Sequence, residues 1–411
     1  MSAIVAALNG HAAAIAADSA VTIGGKKVFN CANKIFALSK YEPVAIAIYN
    51  NTSLLDIPWE IIIKEYRKQL GNKKMPHLKD YAEDFFSFLK TKDFYSNSNK
   101  QRGVLCQYFG IYLDALAKEV GESSSDFESE FTDRINSIVK DYHTQLECFK
   151  SISKDSFFND NQIGISEALN IFNKKYKCSI DIDAVTNVLY SAFICAQMTS
   201  YVTGLVFVGY GDDELFPSLI NFETGFIING LLSINHISNR DAIIESGTNA
   251  AVCPFAQTDV MDTILRGVAP KIMSIFENNY SKPIERVFGD MAKLVESSHP
   301  TLANSIRDFI NNNLPNYKKL YFKECQDLVN KEYIFPFINS VIALDKEDLA
   351  DFVESLIKLT SIKRKISPDQ PTVGGPIDVM VISKGDGIIW MKRKHYFKPE
   401  LNNHFFQNYF R

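Results

Sequence analysis

Ser2, Asp18 and Lys34 follow one another at intervals of sixteen residues. They supply a hydroxyl, a carboxylate and an amine, groups that hydrolases use for nucleophilic attack and proton transfer. Ser2 follows Met1, and its small side chain is of the kind methionine aminopeptidases accept. Loss of Met1 would leave Ser2 with a free α-amine, whose reference pKa of about 7.7–8.0 suits it to accept a hydroxyl proton near neutral pH. Singly, each residue has an ordinary explanation: a small second residue, a turn aspartate, a strand-edge lysine. Only their joint placement carries chemistry.

The elements that must position them begin at once. Residues 3–8 (AIVAAL) and 11–17 (HAAAIAA) read as two strands around Asn9-Gly10, a dipeptide suited to a type I′ turn. A two-residue loop sets Leu8 opposite His11, Ile4 opposite Ile15 and Ser2 opposite Ala17. Ser2 then stands beside Asp18, with cross-strand Cβ atoms about 5 Å apart. Gly24-Gly25 marks a second turn. KIFAL (34–38) and PVAIAIY (43–49) read as a strand pair, and a helix is expected from about Leu54.

Residues 70–198 and 269–365 are mainly helical in pattern. Strands return at 204–211, 217–223 and 225–234, and a helix is expected from Thr248 or Thr258 to Gly267. Two strands around Gly385-Asp386-Gly387 close residues 374–392. Strands at both ends of the chain enclose helical blocks, so one core over residues 1–395, interrupted by helical insertions at about 70–198 and 269–365, is expected. An aromatic tail, 396–411, follows; it is either packed on its own subunit or a docking segment.

Composition bounds the function. The 411 residues are 46% hydrophobic and 22% charged with a net charge of −4, which leaves ample core and no basic stripe for nucleic acid. Seven scattered cysteines without a CxxC read as reduced thiols in a cytoplasm. The histidines have no ligand spacing, and Gly209–Glu214 (GYGDDE) is expected to be a strand-end turn rather than a metal loop. No secretory signal and no run of about eighteen apolar residues is present, so neither export nor a membrane partner is expected.

The sixteen-residue spacing, with "AADSAVT" around Asp18 and "NKIFAL" around Lys34, resembles the proteasome β-subunits and HslV-type peptidases, which are N-terminal-nucleophile hydrolases. "VFVGYGDDELFPSLINFETG", "ESGTNAA" and "GGPIDVMVISKGDGI" resemble later parts of the same family, so the likeness covers roughly 2–66, 203–268 and 372–392. It implies an α+β fold, a four-layer αββα sandwich. It implies that Ser2 attacks a carbonyl, that Lys34 lowers the pKa of hydroxyl and amine, and that Asp18 orients Lys34. Ser246 falls on the family's auxiliary serine, and Thr22 on the residue whose backbone pairs with extended substrate. Val21 and Ala32, with Ile46 or Ala47, would line an apolar substrate pocket, and a backbone N–H at Tyr49-Asn50 would hold the oxyanion.

Three features depart from the family pattern: serine replaces the usual threonine, "IYNN" (48–51) replaces a glycine-rich oxyanion segment, and Asp369 stands out of step before the last Gly-Gly. The resemblance implies no metal or organic cofactor. It implies a peptide or unfolded-protein substrate, a homo-oligomer, and an ATPase or other regulator as a possible partner. The alternatives are a non-catalytic structural or interaction subunit, for which the altered oxyanion segment speaks, and a small-amide amidohydrolase on the same fold.

Overall fold

The computed structural model describes residues 3–23, 27–91, 98–121, 126–141, 144–195, 202–367, 373–404 and 407. The chain is mixed helix and antiparallel sheet. Its strands are β1 (Ala3–Asn9), β2 (Ala13–Ala17), β3 (Val21–Ile23), β4 (Lys27–Phe29), β5 (Ile35–Ala37), β6 (Val44–Asn50), β7 (Ser53–Leu54), β8 (Ile57–Pro58), β9 (Thr203–Gly209), β10 (Ser218–Ile228), β11 (Leu231–His236), β12 (Ala242–Ile243), β13 (Ala250–Ala256), β14 (Asp378–Ser383) and β15 (Gly387–Lys392). Between β8 and β9 run helices α1 (Trp59–Leu70), α2 (Leu78–Thr91), α3 (Ser98–Val120), α4 (Phe127–Asp141), α5 (Lys154–Tyr176) and α6 (Ile182–Ile194). Between β13 and β14 run α7 (Asp259–Arg266), α8 (Pro270–Asn279), α9 (Ser281–Glu296), α10 (Pro300–Val329), α11 (Phe335–Ile342) and α12 (Lys346–Ile366).

A five-stranded sheet has the order β13-β1-β2-β14-β15, and a six-stranded sheet the order β11-β10-β9-β6-β5. The alanine-rich β1 and β2 are buried along their whole length. Side chains alternate across a strand, so each strand feeds two cores. Ile4, Ala6, Leu8 and Ile15 pack against Ala45, Ala47, Val206 and Val208 of the second sheet. Ala3, Val5, Ala7, Ala14 and Ala16 meet Leu349, Val353 and Ile357 of α12. Burial on both faces explains why these strands read as apolar runs instead of alternating patterns. On the second sheet's other face, Ile46, Ile48, Leu205 and Phe207 pack against Trp59, Ile62 and Phe85 of α1 and α2. The α3–α6 block gathers its own aromatic core around Phe109, Phe131, Phe172 and Phe193, and reaches the sheet through Phe226 and Ile228. Helices α2 and α12, which fall in the two stretches expected as insertions, both cover sheet faces.

The first hairpin differs from its expected register. Leu8 pairs with Ala13 and Ile4 with Ala17, two residues out of the Leu8–His11 and Ile4–Ile15 alignment. Neither Asn9 nor Gly10 takes a positive φ, so there is no type I′ turn. The reason is the Asn9 side chain. Its Oδ1 accepts the N–H groups of His11 (2.9 Å) and Ala12 (3.2 Å), and the Asn9 N–H reaches the Ala12 carbonyl at 3.0 Å, which closes a wider turn. Its Nδ2 donates to the Val341 and Leu344 carbonyls at 2.9 and 2.8 Å, tying the turn to α11. A two-residue shift preserves the faces, so the core pattern survives it. The Asn-Gly signal operates elsewhere: Asn229 (φ 51°) and Gly230 (φ 76°) form the tight turn between β10 and β11. Residues 217–223 and 225–234, read as two strands, are therefore one long strand with a bulge between Thr224 and Ile227, and a second strand after Gly230. Gly24-Gly25 lies outside the described residues.

Replacing Asn9 with Ala removes both acceptor and donor roles and leaves two buried carbonyls without that partner. An unsatisfied buried polar group costs about 1–3 kcal/mol, so Asn9→Ala is expected to lower unfolding stability by about 3 kcal/mol. Urea titration with an unchanged slope measures this; a loss below about 1 kcal/mol would contradict the role given to Asn9.

Candidate active site

The pairing of Asp18 with Lys34 is built by two strand ends. Asp18 follows β2 and Lys34 precedes β5; the side chains are 0% and 2% exposed. The Lys34 carbonyl accepts the Ile48 N–H at 2.8 Å, extending the β5–β6 ladder and fixing the lysine backbone. Lys34 Nζ donates to Asp18 Oδ1 at 2.5 Å and to the Ala20 carbonyl at 2.7 Å. Asp18 Oδ1 also accepts the Ala3 N–H (2.9 Å), and Oδ2 those of Ala20 and Gly374 (3.1 Å each). All four partners are donors, a set suited to a carboxylate, which accepts on both oxygens. Burial holds the Lys34 ammonium below the ordinary lysine value of 10.5, while the charge and hydrogen bond of Asp18 oppose the shift. Lys394 lowers it further, and Asp378 raises it.

Ser2 lies outside the described residues. Its neighbour Ala3 is buried, and the Asp18 N–H donates back to the Ala3 carbonyl at 3.2 Å, so Ala3 is held beside Asp18 through both its N–H and its carbonyl. Thr22 pairs with Val28 in the β3–β4 ribbon, and its side chain is outside the described set. Val21 and Ala32 are half-buried, and the Ala32 N–H donates to the Ser19 carbonyl at 3.2 Å. Ile46 and Ala47 are fully buried on opposite faces of β6, one toward α1 and α2 and one between the sheets, so neither lines a pocket.

Tyr49 is a core residue. Its ring stacks on Phe255 at 5.7 Å, and its hydroxyl donates to Asn221 Oδ1 at 3.2 Å. Gly204 makes room for that ring: a Cβ there would lie 1.9 Å from it. Asn50, at the exposed end of β6, takes φ 66°. Asparagine tolerates the left-handed region better than most side chains, so the chain takes this conformation without the glycine expected at an oxyanion segment.

Ser246 does not join this group. It is exposed in the turn closed by Glu245 and Thr248, ahead of β13. Strand β13 runs antiparallel to β1 with Ala250 opposite Asn9 and Ala256 opposite Ala3. Ser246 therefore lies beyond the far end of β1, roughly 20 Å from Ala3 at the usual rise per strand residue. The helix expected from Thr248 or Thr258 to Gly267 takes the second start: α7 runs Asp259–Arg266 with Thr258 at its N-cap and Gly267 at its C-cap. Ala250–Ala256, between the two expected starts, is a sheet-edge strand, where Pro254 is tolerated. The residue that pairs with Ala3 is Ala256.

Sequence reasoning also missed Asp378 and Lys394. Asp378 opens β14 opposite Ala17, with a side chain 4% exposed, and accepts from both the backbone N–H (2.8 Å) and Nζ of Lys394. Its signal was an acidic residue heading the apolar run "DVMVIS". Asp369, noted for its position before Gly374-Gly375, is outside the described residues. Among the described residues no three His, Cys, Asp or Glu side chains are grouped to hold a metal ion, and no helix is long and apolar enough to cross a membrane.

No family model matches the chain. No curated protein matches it either. Solved structures do. Both of the following are Anbu proteins. The Gly-1 mutant of Anbu from Hyphomicrobium sp. strain MC1 aligns over 99% of this chain and 94% of its own, with TM-score 0.32 and 9% identity. Anbu from Yersinia bercovieri, described as an ancestral beta-subunit, aligns over the same shares with TM-score 0.28 and 7% identity. The expected membership of the proteasome β-subunit and HslV family is corrected by these findings: no model of a family matches, and the structures found belong to the distinct Anbu group. Likeness at this level carries no functional argument, so function rests on the geometry of the site.

Proposed function

We propose that this chain is an N-terminal serine hydrolase that cleaves peptide or other amide bonds through an acyl-enzyme, on a four-layer αββα framework. One observation carries the reading: the Ala3 N–H and the Lys34 ammonium share Asp18 Oδ1. Consecutive Cα atoms are about 3.8 Å apart, and in this reading Ser2, next to Ala3, works within reach of Lys34. The cores on both faces of each sheet support the four layers.

In this reading Ser2, freed of Met1, attacks a carbonyl carbon with its hydroxyl oxygen. The α-amine of Ser2, directly or through a water, takes the hydroxyl proton and returns it to the leaving amine. Among the described residues Lys34 has two acceptors, and an ammonium has three N–H donors. The third is assigned to Ser2 Oγ, where positive charge favours the alkoxide as it develops. Asp18 orients Lys34 while three backbone N–H groups hold the carboxylate in place. The turn at Tyr49-Asn50 supplies the N–H for the oxyanion. Water then hydrolyses the ester, with the same amine as base.

Turnover of fluorogenic peptidyl amides by the Met1-free chain, blocked one-to-one by a peptide boronate, tests the function. Absence of turnover on every peptidyl and small amide would refute it.

The pH dependence has a defined sign. The base works deprotonated, so kcat/KM rises as the amine loses its proton near its reference value of about 7.7–8.0. Lys34 works protonated, and its proton affinity is held below the ordinary lysine value of 10.5. The profile is therefore expected to be a bell whose alkaline limb falls before 10.5 is reached. A rate still rising through that range would remove Lys34 from the mechanism.

A further inference from the structure

We propose that Asp378 and Lys394, a part-buried ion pair one strand away from Asp18, are positioning residues for Lys34. The inference rests on the hydrolase reading and extends it to residues that touch no substrate.

The pair closes a strap over the acidic end of the site. Asp378 sits opposite Ala17, the residue before Asp18, and is clamped by the backbone N–H and the side chain of Lys394 just after β15. From Asp378 the chain runs back to Gly374, whose N–H donates to Asp18 Oδ2 and whose carbonyl accepts the Ser19 N–H at 3.1 Å. Ser19 Oγ donates to the Pro376 carbonyl at 2.5 Å. Residues 374–378 are thereby fastened at one end to Asp18–Ser19 and at the other to Lys394. The strap carries one of the four donors that fix the Asp18 carboxylate, and that carboxylate in turn fixes Lys34.

The pair is also a charge balance. Among the described residues the charged groups acting on Lys34 are Asp18, Lys394 and Asp378, and the last two oppose each other. With side chains 4% and 12% exposed, Asp378 and Lys394 are little screened by water. Their effects on Lys34 oppose each other, so removing either one alone would move it. Removing the Lys394 charge leaves a lone carboxylate nearby, so Lys34 keeps its proton to higher pH. Removing the Asp378 charge leaves a lone ammonium nearby, so Lys34 loses its proton at lower pH.

The test reads Lys34 directly. The protein is labelled with ε-¹³C lysine, the Lys34 signal is assigned by its loss in Lys34→Arg, and its titration is followed by NMR in wild type, Lys394→Gln, Asp378→Asn and the double variant. The expected result is a midpoint raised in Lys394→Gln and lowered in Asp378→Asn, each on the order of one pH unit, and near wild type in the double variant. The alkaline limb of kcat/KM should move the same way. A purely structural pair would lower stability without shifts of opposite sign, and unchanged or same-direction midpoints overturn the proposal.

Where only one single variant folds, it is compared with the double variant, from which it differs by one charge, and the same signs are required. Where neither folds, the double variant decides: a folded protein with the wild-type Lys34 midpoint supports the balance, and an unfolded protein or a displaced midpoint overturns it. The NMR arm needs no substrate. A chain that hydrolyses nothing therefore fails the proposed function while leaving this test readable.

Discussion

Ser2→Ala abolishes amide hydrolysis, with kcat/KM expected to fall on the order of 10⁴–10⁶-fold, the range seen when a hydrolase loses its nucleophile. The argument is chemical. Alanine keeps the α-amine, the hairpin and the Asp18–Lys34 pair, and removes only the oxygen that forms the acyl bond. Stability should change by less than about 0.5 kcal/mol, because one hydroxyl at a chain end contributes little. Steady-state kinetics on a fluorogenic amide, with urea unfolding as control, separates the two effects. Blocking removal of Met1, by placing Glu at position 2 or an uncleaved extension before it, should silence the enzyme equally, because an amide nitrogen cannot serve as the base. Activity in Ser2→Ala above a hundredth of wild type would assign the nucleophile elsewhere.

Lys34→Met has the second largest effect, and it acts twice. Hydrolysis should fall about 10²–10⁴-fold, as the amine and hydroxyl lose their cationic neighbour. Stability should also fall, because Asp18 keeps a buried charge whose ammonium partner is gone; breaking a buried pair from one side costs about 3–5 kcal/mol. The backbone N–H groups of Ala3, Ala20 and Gly374 still reach Asp18, which places the expected loss at the lower end of that range. The double variant Asp18→Asn/Lys34→Met carries no lone charge. It should regain most of the stability and none of the activity. Recovery of activity with stability would mean that the pair serves the fold alone.

How far such a site can be read from sequence depends on the physics behind each residue. The link between Asp18 and Lys34 came from the family resemblance that their sixteen-residue spacing carries; spacing alone does not bring together the ends of two strands that lie in different sheets. The hairpin register was not legible. The dipeptide Asn-Gly occurs at both 9–10 and 229–230, and only the second forms the tight turn with positive φ at both residues. At Asn9 the amide finds four backbone partners, one on α11 and one just past its end, and these long-range bonds override the local preference.

Strand β13 escaped for a related reason. Ala250–Ala256 has few β-branched residues and contains a proline, and it is a strand because β1 offers seven residues of unpaired backbone. Ser246, assigned through the likeness of "ESGTNAA", stands ahead of this strand, at the Asn9 end of β1. Asp378 and Lys394 stood outside any recognisable motif. Their role depends on the sheet order β2-β14-β15, which brings residues sixteen apart in sequence to one buried spot and sets them beside Asp18.

The central claim is that residue 2 is the reactive N-terminus. Mass spectrometry of the intact protein before and after treatment with a peptide epoxyketone, which needs an adjacent amine and hydroxyl to form its ring adduct, tests it most directly. The account predicts a chain lacking Met1 that gains one adduct, mapped to Ser2 and absent from Ser2→Ala. A chain that retains Met1, takes up no adduct and still hydrolyses amides would contradict it.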